Sequence, residues 1–302
     1  MIELMSRPAS GALCVLSLIF AAYGQPLREA VEGRIARFPG AVSLYAKNLD
    51  TGTAFGIRED EPVRTASTIK LPIMAAVFDA VSRKRARWTD PITVTAREKV
   101  SGSGIIASEL STGDNLPLRD VLHLMIVLSD NTATNMVLER FPANSVNAYL
   151  DRIGIKHTRA LRKILGKGPP SGISAAGKLP ENQKYGLGVS TPRDMVTILE
   201  KLEHGELVSK TASHEMLEVL KRCQDATGMR RYLGQWTIAN KTGALDALRS
   251  DVGIVYSKTG RIAVAITVEG IQKVDYGPDN PGSLLIAELS RILVEGLATP
   301  AK

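Results

Sequence analysis

Ser67 and Lys70 stand three residues apart in the stretch RTASTIKLPI, at the point where a helical pattern begins. A hydroxyl is a weak nucleophile until a base takes its proton. A helix N-terminus favours the developing alkoxide, and the amine of Lys70 lies one turn away, within reach of Ser67. A lysine whose pKa is lowered by burial or by a second cation can act as that base. The alternative interpretation is a capping serine beside a surface lysine.

A second polar group, Ser129-Asp130-Asn131, follows an apolar stretch that predicts a buried helix over 118–128. The Ser129 hydroxyl could relay a proton to a leaving group. The Asn131 amide could position either a substrate or Lys70. The alternative is that this tripeptide only caps the next helix, predicted over 132–140.

The tripeptide Lys-Thr-Gly occurs twice, at 241–243 and at 258–260. The second copy lies between two strand-like segments, IVY and IAVAITVEG, and is typical of a hairpin turn. The first copy ends the strand-like segment TIANKTG and is followed by a small residue. We therefore predict that only the first copy is functional.

In the first copy, Lys241 and Thr242 would hold a substrate carboxylate, and Gly243 would let a ligand approach the backbone. The backbone N–H groups of Ser67 and Ala244 could then form an oxyanion hole.

Two further side chains are candidates at the margin of such a site. Arg249 follows the Lys241 strand and could help to hold a carboxylate, although a solvated hairpin arginine fits the sequence as well. Ser103, in SGSGI, could line the cleft entrance or belong to a flexible loop. The four histidines lack metal-ligand spacing and no Gly-x-Ser-x-Gly elbow occurs, so we expect neither a metal nor any other cofactor.

The elements that must position these groups follow from the pattern of apolar residues. Strands are predicted near both ends of the chain and helices between them, which indicates one sheet built from the two termini and a helical second lobe. We place the sheet lobe at about 25–62 and 220–302 and the helical lobe at about 63–219. The long irregular stretch 162–190 is typical of a functional or mobile loop. Thr191 and Pro192 then begin a helix as cap and first-turn residue.

The N-terminus and the charge indicate where the protein acts. Residues 9–24 carry no charge and follow Arg7, a pattern typical of a secretory signal over 1–24, with a membrane anchor as the alternative. Removal of the signal would take away Cys14 and leave Cys223 as the only cysteine, with no internal disulfide. We therefore expect an exported monomer, periplasmic or secreted, without membrane attachment. The net charge of +7 is dispersed, which argues against nucleic-acid binding.

Taken together, these motifs and the stretches LSDNTATN and STPRDM resemble the class A β-lactamases and penicillin-binding proteins, the penicillin-recognising serine hydrolases. The resemblance covers nearly the whole chain after residue 24. It implies an α+β fold with a five-stranded antiparallel sheet, flanking helices and an all-helical lobe. It also implies acylation of Ser67 by a β-lactam carbonyl, with Lys70 as base and Ser129 as proton donor to the leaving nitrogen.

The pattern departs from the class A enzymes at one position. The glutamate that activates water for hydrolysis of the acyl-enzyme is replaced by Ile164 in an approximate alignment from Thr158 and Arg159 through Arg162. The only carboxylate between residues 151 and 194 is that of Glu181. Glu181 could replace the missing base, or it could be a solvated loop residue.

These observations predict a serine hydrolase that opens the β-lactam ring of penicillins or cephalosporins. A cell-wall D-Ala-D-Ala peptidase or esterase on the same scaffold is the first alternative. A penicillin-binding sensor that stays acylated is the second.

Overall fold

The computed structural model describes residues 25–166 and 168–298. The predicted signal over 1–24, with Cys14, lies outside the described residues and stays a prediction. No helix within the described ranges is long and apolar enough to cross a membrane.

Five antiparallel strands form the main sheet: β1 (Ala41–Asn48), β2 (Ala54–Ile57), β8 (Thr237–Leu245), β9 (Leu248–Ser257) and β10 (Gly260–Glu269). Their order across the sheet is β2-β1-β10-β9-β8. The first and last strands of this set, β1 and β10, lie side by side with Ala41 opposite Glu269. The predicted five-stranded sheet built from both ends of the chain is therefore confirmed.

Apolar residues on the two faces of the sheet pack into two separate cores. On one face, α1 (residues 25–35), α9 (Arg230–Leu233) and α10 (Pro281–Gly296) cover residues such as Leu44 and Ile266. On the other face, Ala239 and Ile254 pack against the helical part of the chain. Because both faces of the sheet are covered, β9 and β10 are buried along most of their length.

The helical part lies between the strands of the two termini. Its helices are α2 (Lys70–Ser82), α3 (Ile106–Glu109), α4 (Leu118–Val127), α5 (Asn131–Arg140), α6 (Ala143–Arg152), α7 (Pro192–Glu203) and α8 (Lys210–Lys221). Two small sheets accompany them, one of β4 (Pro91–Thr93) with β5 (Asn115–Pro117), the other of β3 (Val63–Arg64), β7 (Gly188–Ser190) and β6 (Arg159–Ala160).

Most predicted element boundaries agree with the structure, and the capping residues explain why. Thr191 caps α7 by accepting a hydrogen bond from the Asp194 backbone, at 3.1 Å. The final helix begins at Pro281 because Asn280 accepts hydrogen bonds from the backbones of Gly282 and Ser283. The second Lys-Thr-Gly copy lies at the turn between β9 and β10, as predicted.

Candidate active site

Ser67 lies on a short 3₁₀ turn, Ala66–Ile69, that leads directly into α2. Its hydroxyl forms no hydrogen bond with any residue that the structure describes, and neither the turn nor α2 has a side-chain cap. The capping interpretation of Ser67 is therefore wrong. Ala66, just before it, has a φ of 46°, which an alanine rarely adopts and which signals local strain.

Lys70 is completely buried at the start of α2 and reaches the second predicted group. Its Nζ atom lies 2.7 Å from the Ser129 carbonyl oxygen and 3.1 Å from the Ser129 hydroxyl. The Asn131 side-chain oxygen is a third neighbour, at 3.1 Å. The alternative of a surface lysine is excluded, and the amine is fixed beside a second hydroxyl.

The surroundings of Lys70 favour the neutral amine. Burial lowers its pKa well below the ordinary lysine value, and the positive charge of Lys241 adds to this shift, while Asp130 opposes it. A buried amine with a lowered pKa can accept a proton near neutral pH. The pKa of Lys70 is thus shifted in the direction that a general base requires.

The Ser129-Asp130-Asn131 turn combines the two functions considered from the sequence. Asp130 caps α5 through the Ala133 backbone N–H, at 2.8 Å, and also accepts hydrogen bonds from Ile105 and Ile106. The capping prediction is therefore correct for Asp130. Ser129, at a φ of 54°, instead turns toward Lys70.

The tripeptide Lys241-Thr242-Gly243 lies on β8, an edge strand of the sheet, against the turn that carries Ser67. A Cβ atom at Gly243 would lie 2.8 Å from the Thr65 carbonyl oxygen and 3.0 Å from the Ser67 nitrogen. Only glycine allows β8 to approach Ser67 this closely. The backbones of Ser67 and β8 thus form two sides of one opening.

A single cavity of about 830 Å³ joins these elements. Ser67, Ser129 and Asn131 line it, together with Thr242, Gly243, Ala244 and Arg249 from the sheet and Gly102 and Ser103 from the opposite loop. Lys70 and Lys241 are fully buried behind this lining. Three segments that are distant in the sequence therefore converge on one pocket around the Ser67 hydroxyl.

Two groups expected to bind a carboxylate already have partners in the protein. The Thr242 hydroxyl donates a hydrogen bond to Asp225, at 2.7 Å. Arg249 donates to the carbonyl oxygens of Leu245, Leu248 and Asp275 and lies 4.8 Å from the Tyr276 ring. The Arg249 guanidinium thus mainly stabilises the connection between β8 and β9, although the residue also lines the cavity.

Asp251 is a buried carboxyl group at the back of the cavity, opposite Thr242 in the neighbouring strand. It accepts hydrogen bonds from the Asn240 side chain, at 2.9 Å, and from the Met229 backbone, at 3.0 Å. Burial nevertheless dominates and raises the pKa of Asp251 from 3.8 to about 7. The carboxyl group is therefore largely protonated in the folded protein at mildly acid pH.

We predict that Asp251 makes wild-type stability fall as the pH rises from about 4 to about 7. The folded state retains the proton up to its raised pKa, whereas the unfolded state releases it above the ordinary value. Relative to Asp251→Asn, the wild type should lose up to about 4 kcal/mol of unfolding free energy over this range. Urea unfolding at a series of pH values measures it. The exposed Asp246→Asn is the control, and equal pH dependence of the wild type and Asp251→Asn would contradict the prediction.

The loop between β6 and β7 brings Ile164 to the cavity and leaves Glu181 outside it. Asn135 holds Ile164 from both sides: its amide oxygen accepts from the Ile164 N–H at 2.8 Å, and its amide nitrogen donates to the Ile164 carbonyl at 3.1 Å. Glu181 is exposed on a short 3₁₀ turn, Pro180–Tyr185. The nearby residues that do line the cavity are 184–187.

Lys163 anchors the same loop to the protein through a buried ion pair. Its Nζ lies 2.9 Å from both carboxylate oxygens of Glu98, and both side chains are almost completely buried. Glu139 is a further, more exposed partner. This anchor fixes the residue that immediately precedes Ile164.

We expect Lys163→Met to lower the free energy of unfolding by about 3 kcal/mol, because Glu98 would remain buried without its main cation. Chemical denaturation measures the loss. Lys178→Met, on the exposed part of the same loop, is the matched control and should change stability by less than about 0.5 kcal/mol. Equal stability of the two variants would show that the ion pair does not anchor the loop.

Sequence reasoning missed Asn135, Asp225, Asp251 and Lys163. Asn135 lies within LSDNTATN, four residues after Asn131, so its position on the same helix face was an available signal. The other three gain their roles from partners far along the chain, and no local spacing indicates them.

The family of the chain follows from comparison with known proteins. A model of the β-lactamase enzyme family matches residues 26–297, and the chain belongs to that family. Its fold and the convergence of the three motifs agree with the resemblance noted in the sequence.

Individual relatives are distant but cover most of the chain. The β-lactamase SME-1 of Serratia marcescens is 24% identical over 266 residues, covering 86% of this chain and 85% of the relative. The structure of a β-lactamase from Sphaerobacter thermophilus is 28% identical, with a TM-score of 0.77 over 90% of this chain and 96% of that one. A point mutant of PBP-A, solved as an acyl-enzyme complex with penicillin G, is also 28% identical, with a TM-score of 0.75 and coverage of 90% and 96%.

Proposed function

We propose that this chain is a class A-like serine hydrolase that opens β-lactam rings through an acyl-enzyme on Ser67. The observation that carries the proposal is the cluster around Lys70. The Lys70 amine is buried, has a lowered pKa and contacts Ser129 and Asn131. It lies behind the wall of the cavity that Ser67 lines, and the Ser67 hydroxyl forms no hydrogen bond with the described residues. The acyl-enzyme formed by the PBP-A mutant is consistent with covalent chemistry on this fold.

In the first half of the proposed reaction, the Ser67 oxygen attacks the lactam carbonyl carbon while its proton passes to Lys70. The Ser67 and Ala244 backbone N–H groups would stabilise the oxyanion, since β8 is an edge strand whose outer side faces this turn. The carbon–nitrogen bond then breaks. Ser129 supplies a proton to the leaving nitrogen and regains one from Lys70, which lies 3.1 Å away.

In the second half, water must attack the Ser67 ester and lose a proton to a base. Ile164 occupies the loop position beside the cavity and cannot take a proton, and Glu181 is exposed outside it. We therefore propose that release of the acyl group is the slow step. This favours slow turnover, and the penicillin-binding sensor is the limiting case in which release fails altogether.

One experiment tests the proposal and separates its alternatives. Purified protein is mixed with a chromogenic cephalosporin while colour and intact mass are followed together. We expect a rapid burst of one equivalent of colour with a mass increase, followed by slow turnover. A burst with a persistent mass increase supports the sensor. Absence of any adduct, with cleavage of a D-Ala-D-Ala peptide, would reject the proposal in favour of the peptidase.

We also propose that the chain is exported and acts in the periplasm or outside the cell. The uncharged residues 9–24 after Arg7 support this. N-terminal sequencing of the protein recovered after expression in a bacterium tests it, and a mature N-terminus near residue 25 is expected.

A further inference from the structure

The loop side of the cavity carries two positive charges that the proposed reaction does not use. Arg162 and Lys184 both line the cavity, and both belong to the loop between β6 and β7. The carboxylates among the lining residues, Asp225 and Asp251, lie at the sheet wall, beside the charge of Lys241. The described part of the loop thus contributes cations but no carboxylate to the lining.

The charge of Arg162 is not compensated by an ion pair. Its guanidinium donates a hydrogen bond to the Lys163 carbonyl oxygen, at 3.3 Å, and pairs with no carboxylate among the residues that the structure describes. Burial lowers the pKa of Arg162, because the half-buried side chain is partly removed from water. An arginine nevertheless stays charged at neutral pH. A carboxylate from a ligand would therefore supply the counter-charge that this guanidinium lacks.

Lys184 brings the second charge to the same part of the loop. Its side chain is exposed, and its Nζ atom lies 5.0 Å from the centre of the Tyr185 ring. Two residues further on, a Cβ atom built at Gly186 would lie 3.5 Å from the Arg162 guanidinium. The Arg162 fork and the Lys184 amine are thus carried by neighbouring stretches of backbone, and the exposed amine can turn toward a ligand held by Arg162.

The turn that carries Ser67 lies between this loop and the sheet wall. On one side of the turn, the Thr65 N–H and hydroxyl both donate to the Gly188 carbonyl oxygen, at 3.1 and 3.0 Å, where the loop enters β7. On the other side, the Thr65 carbonyl oxygen lies 2.8 Å from a Cβ atom built at Gly243. In a penicillin, the ring carboxylate and the acylamino group stand at opposite ends of the bicyclic nucleus. A ring carboxylate held at Thr242 would therefore direct the acyl side chain toward the loop.

We propose that Arg162 and Lys184 form a second anion-binding subsite, which makes the chain selective for β-lactams whose acyl side chain carries a carboxylate. The inference rests on the proposed function for the orientation of the substrate. The favoured substrate has two carboxylates, one bound at Lys241 and Thr242 and the other at the two loop cations.

Carbenicillin and benzylpenicillin test the inference as a matched pair, since carbenicillin differs by one additional carboxylate on its acyl side chain. Dissociation constants are measured by calorimetry in a Ser67→Ala background, so that binding is judged without acylation. We expect this background to bind carbenicillin about tenfold more tightly than benzylpenicillin. Adding Arg162→Gln and Lys184→Gln together should bring the ratio to within about twofold of one, mainly through weaker binding of carbenicillin.

Two further variants separate charge from structure. Arg162→Lys keeps the charge and should retain most of the preference for carbenicillin. Lys178→Gln removes a charge from an exposed part of the same loop, outside the cavity, and should leave the ratio unchanged. The preference should also decrease at high salt, because ions screen the attraction between exposed charges. Thermal unfolding verifies that each variant is folded.

Equal binding of the two penicillins by the background protein would overturn the inference, and so would an unchanged ratio in the double variant. Absence of detectable carbenicillin binding would overturn it as well. The proposed acyl-enzyme is judged independently, by the mass increase of the wild-type protein with benzylpenicillin. A protein that is acylated by benzylpenicillin but shows no preference for carbenicillin would therefore contradict the subsite alone.

Discussion

Replacing Ser67 by alanine will abolish covalent labelling of the protein by penicillins and cephalosporins. The variant lacks a cavity-lining hydroxyl that forms no hydrogen bond with the described residues and lies beside the backbone of β8. We expect the rate of acylation to fall by at least about 1,000-fold, because no other group can form the ester. Intact-mass spectrometry after incubation with a β-lactam measures this directly.

Ser103→Ala is the matched control for Ser67→Ala. Ser103 lines the same cavity, but its hydroxyl donates to the Leu128 carbonyl, at 3.0 Å. Its removal should leave acylation within about a few fold of the wild type. A Ser67→Ala protein that still gains the mass of the drug would remove Ser67 as the nucleophile.

Replacing Ile164 by glutamate will accelerate release of the acyl group. Asn135 holds the Ile164 backbone from both sides, so the new side chain should leave the loop at the same point and face the same cavity. A carboxylate positioned there can take a proton from the attacking water. General-base catalysis contributes about 100-fold or more. The rate at which the adduct mass returns to that of the free protein measures the effect.

Ile164→Gln separates proton transfer from polarity, since its side chain has the same size as glutamate but cannot act as a base. It should release the acyl group at nearly the wild-type rate. Equal release rates for the glutamate and glutamine variants would show that Ile164 does not occupy the position of a water-activating base. Thermal unfolding of both variants verifies that the loop remains folded.

The chemistry of the site was predictable where it depends on a local motif. Ser67 and Lys70 are one turn apart, so their proximity follows from helix geometry alone. The choice between the two Lys-Thr-Gly copies was also local, because the second copy lies in a hairpin turn. Convergence of the three motifs was predicted only through the resemblance, since the contact between Lys70 and Ser129 joins residues 59 positions apart.

The parts that could not be predicted depend on charges paired across long distances in the chain. Lys163 does not belong to a repeating apolar pattern that would predict its burial. Its burial depends on the ion pair with Glu98, 65 residues away. Asp225 belongs to a short connection after α8, and nothing in its flanking residues indicates a bond to Thr242 on β8. Whether Glu181 could replace the missing base depended on the path of the long loop between β6 and β7. A single carboxylate in an irregular segment does not fix that path.

The late position of β8, β9 and β10 in the chain has a consequence for synthesis. A nascent chain that has emerged only as far as α8 already carries the serine, the amine and the second hydroxyl, but it lacks the strands at 237–269 that close the other side of the opening. The reactive centre can therefore form only near the end of translation. During most of synthesis on the ribosome, Ser67, Lys70 and Ser129 are therefore present without the strand that carries Lys241.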